Sequence, residues 1–461
     1  MKNLGLILLV AAVMCFSCHL EEIQPVNSSA MASFIFTNNG CIAPCGVAFT
    51  NTSVDADSFE WDFGDGSLKS NEINPTHTYS IAGDYFVSLR ATGKDGSDIE
   101  TKSIKINALT FEKAFGLGFG VSVKQTADEG YAVVGFTDSM SHGGNDAILM
   151  KFNKEGTLIW NMLYGGTKED IGNSFQVASD GSYIIAGNTE SIGVGMSDVY
   201  LVKAAPIWGT DLWSKRFGGV KDDFGYSVQI TRDGGYIISG LTYSYGEGGD
   251  IYLIKTFADG TEKWTTHYGG TKEEKGYSVR QATDGGYIVA GYTESLGAGG
   301  RDVFVVKTDS NGVYKWGKPF GGMKDDVAAC IQKTTDNGYI IAGSTYSKGA
   351  GDSDMYLIKI DSIGNFIWDK TLGGIGYDEA SEIQQTSDGG YIIVGSTESY
   401  GIGFFDVYLV KTDNMGNEQW KETFGSVDYD LGLSVQQTKD GGYIICGGSL
   451  LIKTDKYGKV Q

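Results

Sequence analysis

From residue 109 onward, apolar positions fall in short runs separated by turn residues, and no run follows the 3.6-residue period of a helix. One run in each copy, such as Tyr339-Ile340-Ile341-Ala342-Gly343, is apolar at consecutive positions. That pattern predicts a strand covered on both faces. The run repeats. Tyr131, Tyr183, Tyr236, Tyr287, Tyr339, Tyr391 and Tyr443 open it at intervals of 52, 53, 51, 52, 52 and 52 residues. Aspartates 146, 198, 250, 302, 354 and 406 recur every 52 residues, and Trp160, Trp213, Trp264, Trp316, Trp368 and Trp420 keep step, with Phe111 in the same slot of a seventh copy.

Each copy reads as four strands. In the fifth they are Cys330 to Thr334 (inner), Tyr339 to Thr345, Asp354 to Ile360, and Asn365 to Leu372 (outer). Asp-Gly pairs such as Asp284-Gly285 suit the tight hairpin between the first two strands. A period near fifty predicts a β-propeller with one blade per repeat, seven in all over 109–461. The last copy stops at Gly458-Lys459-Val460-Gln461, where an outer strand is due, and the first begins with an outer-type strand at Leu109 to Gly116. The N-terminal strand is therefore expected to complete blade 7 and leave no open sheet edge. The Asp-x-x-Gly-x-x-x-Trp turn, as at Asp309 to Trp316, resembles the repeats of quinoprotein-type propellers. That resemblance implies the blade fold alone, because the further residues their cofactor needs are not found in this sequence.

Residues 32–108 alternate apolar and polar positions in short runs, the pattern of an antiparallel sandwich. Val47 to Ser53, Trp61-Asp62-Phe63-Gly64-Asp65-Gly66, Pro75-Thr76-His77-Thr78-Tyr79 and Gly83 to Val87 resemble the PKD family. The resemblance implies an Ig-like domain acting as a spacer or docking module. Trp61 and Phe63 share a strand face and are expected in its core. Asp62 and Asp65 are expected to brace the Gly turn, and His77 to be structural, with no carboxylate partner in its motif.

Composition agrees with an all-β chain: 68 Gly, 5 Pro and 12% aromatics in 461 residues. A net charge of −21 argues against nucleic acid and anionic membrane surfaces as partners. Residues 1–17 read as an export signal, with Lys2 before an apolar stretch too short to span a bilayer. Cys15-Phe16-Ser17-Cys18 resembles a relaxed bacterial lipoprotein signal, which implies lipidation at Cys18. The acidic pair Glu21-Glu22 in the tether 18–31 is similar to the surface-export tag of Bacteroidota-type lipoproteins. An outer-membrane, surface-exposed monomer touching the membrane through its lipid alone is the expectation. Cys41 and Cys45 are expected to form a small loop disulfide, and Cys330 and Cys446 to be buried free thiols.

In a four-stranded blade the first and third turns lie on one face of the ring, and the second loop and the blade-to-blade connector on the other. Here the first face has tight turns, apart from Pro206-Ile207-Trp208-Gly209 in blade 2, expected to expose Trp208. The long segments share the second face, which is expected to point away from the membrane and to bind. Connector acids Asp170, Asp223, Glu274, Asp326, Asp378 and Asp430 are expected to form a solvated acidic rim. Symmetry breakers are the binding candidates: Tyr400, Phe404 and Phe405 on the blade 6 loop, Arg301 in blade 4 and His142 in blade 1. The 52-spaced aspartates are expected to brace loops through backbone N–H groups. Calcium is the alternative, with a second carboxylate only in Asp352-Ser353-Asp354. No cofactor and no catalytic residue is expected. The leading function is binding of a surface glycan or protein. A propeller glycosidase or polysaccharide lyase is the alternative, with a purely structural surface component third.

Overall fold

A computed structural model describes residues 29–139 and 143–460. Cys18 and His142 lie outside the described residues. The described chain divides into two compact units, a sandwich and a propeller.

The sandwich has two three-stranded sheets. Phe34–Phe36, Cys45–Asn51 and Thr76–Tyr79 form one, and Ser58–Asp62, Gly83–Gly93 and Gly96–Ile106 the other. Alternation puts Val47, Phe49, Trp61, Val87 and Leu89 inward, where they are buried together with Phe34 and Tyr79. Asp62 accepts from the Gly64 N–H at 3.0 Å, and Asp65 from the Ser67 N–H at 3.1 Å, so both brace the turn. His77 does have a carboxylate partner. Its Nε2 lies 2.7 Å from Asp65, twelve residues away, while its ring stacks on Phe63. The structural reading of His77 stands, but its partner comes from the neighbouring motif, brought across by the fold. Cys41 and Cys45 are disulfide-bonded.

The propeller has seven four-stranded antiparallel sheets. Blades 1 to 6 run Phe119–Tyr164, Asp170–Phe217, Asp223–Tyr268, Glu274–Phe320, Asp326–Leu372 and Asp378–Phe424. Blade 7 combines Ser434–Gln437, Tyr443–Gly447 and Leu450–Thr454 with the early strand Phe111–Ala114, and Phe111 pairs with Lys453. The ring therefore closes as expected, between the first and last strands of the region.

Most second and third strands are buried throughout, because each sheet is sandwiched between neighbours. In blades 1 to 6 the Trp of the outer strand packs on the turn glycine of the next blade, as Trp264 does on Gly312, and Phe111 of blade 7 does the same on Gly156. In blades 2 to 6 the inner strands begin at the connector acid, so the fifth spans Asp326–Lys333, earlier than expected. Each inner strand of blades 1 to 6 carries a β-bulge, between Gly276 and Ser278 in blade 4. The bulged residues, among them Asn173, Tyr226 and Tyr277, are re-aimed into the central channel.

A lysine on each third strand lies 2.8–3.3 Å from the aspartate of the first hairpin turn, Lys359 with Asp336 for one. Burial opposes ionisation of Asp336. The Thr334 hydroxyl, the Lys359 ammonium and the Gly338 N–H outweigh it and hold the carboxyl at about 2, below the usual 3.8. A depressed folded-state value means this stabilisation is present above 3.8 and fades as pH falls toward about 2. Chemical denaturation midpoints are expected to drop across that window. Asp336→Asn should shrink the drop, and an unchanged pH profile would refute the assignment.

Candidate functional site

The 52-spaced aspartates sit where the long loop enters the third strand. Oδ2 of Asp198, Asp302, Asp354 and Asp406 each accepts two loop N–H groups at 2.9–3.3 Å. Four loops thus wrap N–H donors, not carbonyl acceptors, around their carboxylates. A calcium ion needs oxygen ligands, so Asp352-Ser353-Asp354 does not fit it. Among the described residues no group of three His, Cys, Asp or Glu side chains could hold a metal.

The acidic rim is corrected by the structure. Asp170, Asp223, Glu274, Asp326 and Asp378 are buried, and Asp430 is half-buried. Asp223 shows why: its Oδ2 accepts from the Gly219 N–H at 2.7 Å and from the Ser244 hydroxyl at 2.6 Å, tying connector to loop. Asp170, Asp326 and Asp378 repeat this with their own Gly and Ser, Glu274 accepts from Gly270 and Thr293, and Asp430 accepts from Ser426. Sequence period places these acids together. Only the fold shows that neighbouring N–H and O–H groups draw them inward.

The central channel is a polar cavity of about 490 Å³. Its wall is stitched between blades. Backbone N–H groups of Val123, Val228 and Val279 donate to Ser434, Ser174 and Ser227 of the preceding blade, and glutamines repeat the motif one tier along. Glu382 replaces serine in the first tier and accepts from Ser434 and Val435. It faces Lys124 at 3.4 Å, while Arg280 replaces glutamine and donates to Gln332. None of these three breakers stood out in the sequence, although aligning the copies exposes Glu382 as the one charge in a largely Ser column, and Lys124 and Arg280 as two charges in a Gln column.

The candidates on the long-loop face separate into two groups. Tyr400 is not an open stacking ring: its hydroxyl donates to the Gly373 carbonyl at 2.8 Å, and its ring packs on Tyr408 beneath Lys421. Arg301 is engaged within its own blade. Its Nε donates to Glu294 at 3.0 Å and its guanidinium lies 4.7 Å from the centre of the Tyr292 ring. That ring belongs to a cluster in which Tyr243 and Tyr292 both donate to Glu273.

Phe404 remains exposed and Phe405 is half-buried, and both acquire a partner the sequence did not suggest. Phe404 stacks on Tyr429 of the following connector, centroids 5.3 Å apart and planes 6° from parallel, and Phe405 lies on the same tyrosine at 5.9 Å. Phe404 is 65% exposed and Tyr429 66%. Ile402 and Val427 flank them, and Met323 and Ile375 are exposed at the connector tips of blades 4 and 5. On the opposite face Trp208 is exposed, as expected from its turn.

Residues 32–108 match the family model described as PKD domain. The WD40 domain of Neurospora crassa Pan2 is similar over 76% of this chain and 96% of its own, at 11% identity and a TM-score of 0.49. A protein of unknown function from Bacteroides thetaiotaomicron is similar over 93% and 98%, at 9% identity and a TM-score of 0.42. YCF48, in a structure with D1 peptide bound, is similar over 76% and 96%, at 11% identity and 0.43. This chain is thus an all-β protein in which a PKD domain precedes a seven-bladed propeller.

Proposed function

We propose that the protein is a binding scaffold whose propeller docks a protein partner on the long-loop face, with the PKD domain as a spacer. The exposed Phe404–Tyr429 stack carries this reading. Contiguous exposed apolar surface on a soluble fold marks an interaction site, and aromatic pairs dominate the energetics of such interfaces. The surrounding side chains favour protein over sugar, because Ile402 and Val427 offer aliphatic contacts with no hydrogen-bonding groups for hydroxyls. A glycan is the second reading, favoured by the exposed, nearly parallel rings of Phe404 and Tyr429.

Screening the full chain against a displayed peptide library and a glycan array tests both readings. Phe404→Ala with Tyr429→Ala should weaken the selected ligand by about tenfold or more, the usual cost of losing a hot-spot aromatic. Ligands that bind the double variant undiminished would refute the site, and turnover of a bound glycan would refute binding without catalysis.

A further inference from the structure

The seven blades provide internal controls for one another, and blade 4 differs from its siblings at one place. In blade 3 the loop residue Tyr245 folds over the blade top, packs on Tyr252 and donates its hydroxyl to the Gly218 carbonyl. In blade 6 Tyr400 does the same with Tyr408 and Gly373. Blade 5 uses Lys348, which reaches Tyr356 and Asp369. The N–H groups of Tyr245, Leu296 and Tyr400 all donate to the threonine three residues before them, so Leu296 holds the equivalent position in blade 4.

Leucine is shorter than tyrosine, and blade 4 differs at two further positions. Phe304 stands where blades 2, 3, 5 and 6 have tyrosine, and Gly317, where a Cβ would meet the Phe304 ring and the Tyr314 hydroxyl, stands where blades 2, 5 and 6 have Ser214, Asp369 and Lys421. Blade 2 also has a short loop residue, Ile192, but keeps Tyr200 and Ser214. In blade 4 a cavity of about 360 Å³ results, with Leu296, Phe304, Tyr268 and Tyr314 as its apolar wall.

One end of the cavity is polar. Gly269 lines it and is the counterpart of Gly218 and Gly373, whose carbonyls accept the sibling hydroxyls. Asp250 lies beside it, 3% exposed. Its Oδ2 is held by His267 Nδ1 at 2.6 Å instead of by loop N–H groups, and its buried Oδ1 has no hydrogen-bond partner. Leaving a buried carboxylate oxygen unmatched is costly, so the cavity favours an occupant that brings a donor to this end.

We propose that the blade 4 cavity binds a phenolic ring, its hydroxyl donating to the Gly269 carbonyl or to Asp250 Oδ1. The sibling blades supply the template, since each tyrosine there is this same ring attached to the chain itself. The site is separate from the Phe404–Tyr429 shelf and stands or falls independently of it.

Calorimetric titration of the full chain with p-cresol should show saturable binding. Toluene, which lacks the donor, should bind about tenfold more weakly, the value of one hydrogen bond to a charged acceptor. Leu296→Tyr restores the sibling arrangement and should abolish p-cresol binding while the melting temperature holds or rises. Should that variant melt lower, Leu296→Phe fills the same volume without the hydroxyl and serves as the blocking variant. N-acetyl-tyrosinamide binding as well as p-cresol identifies a partner's tyrosine as the occupant, and p-cresol alone identifies a free phenolic molecule. The proposal is overturned if p-cresol fails to saturate up to its solubility, if toluene matches it, or if the blocking variants bind it unchanged.

Discussion

Gly291→Ala should destabilise the propeller by about 3 kcal/mol, the upper end of the range for overpacking a rigid interior. Gly291 sits in the second strand of blade 4, opposite the bulge at Gly276 and Ser278. Any Cβ there would fall well inside 3.0 Å of the Lys275 carbonyl oxygen, which is backbone and fixed within the sheet. The backbone of Gly291 is ordinary extended chain, so the cost is purely steric. Gly285 is the contrasting control. It lies in the tight turn at φ +85° with open space around its missing Cβ, so Gly285→Ala should cost only about 1–2 kcal/mol of left-handed strain. Urea titrations of both variants test the assignment, and equal losses would refute it. Every blade has the same glycine, at 135, 187, 240, 291, 343, 395 and 447. The bulge it permits aims Tyr226 and Tyr277 into the channel, so the substitution should also disturb whatever the channel holds.

Phe111→Ala should cost about 3–5 kcal/mol, as for other buried aromatics, and should in addition open one particular edge of the ring. Phe111 packs on Tyr131 and against Gly156 of blade 1, and its strand covers Leu450–Thr454. Trp264→Ala removes a comparable ring from the blade 3–blade 4 boundary without touching the closure. Hydrogen exchange discriminates between them. Amides of Leu450–Thr454 should exchange much faster in Phe111→Ala than in Trp264→Ala at matched global stability, and the exposed edge should promote aggregation. Equal protection of that strand in both variants would mean that the closing strand does not hold the ring.

The sequence was informative wherever one position repeats in every blade. Seven tyrosines, six tryptophans and six aspartates at a near-constant spacing determined the number of sheets, the strands within each and the closure by Phe111–Ala114. Repetition of that kind reports position within a unit, because every blade meets the same neighbours. It also marked Tyr400, Phe404 and Phe405 together as residues that break the pattern.

Tertiary structure alone decided which way these loop and connector side chains turn. The carboxylates of Asp170, Asp223, Glu274, Asp326 and Asp378 turn inward because an N–H or hydroxyl group waits for each, and Tyr400 turns down because Gly373 offers it a carbonyl. Tyr429 joins Phe404 only because the connector crosses beside the loop, and His77 meets Asp65 only across the sandwich. A side chain's direction is set by hydrogen-bond partners and contacts that arrive from elsewhere in the chain, and no spacing along the sequence carries that information.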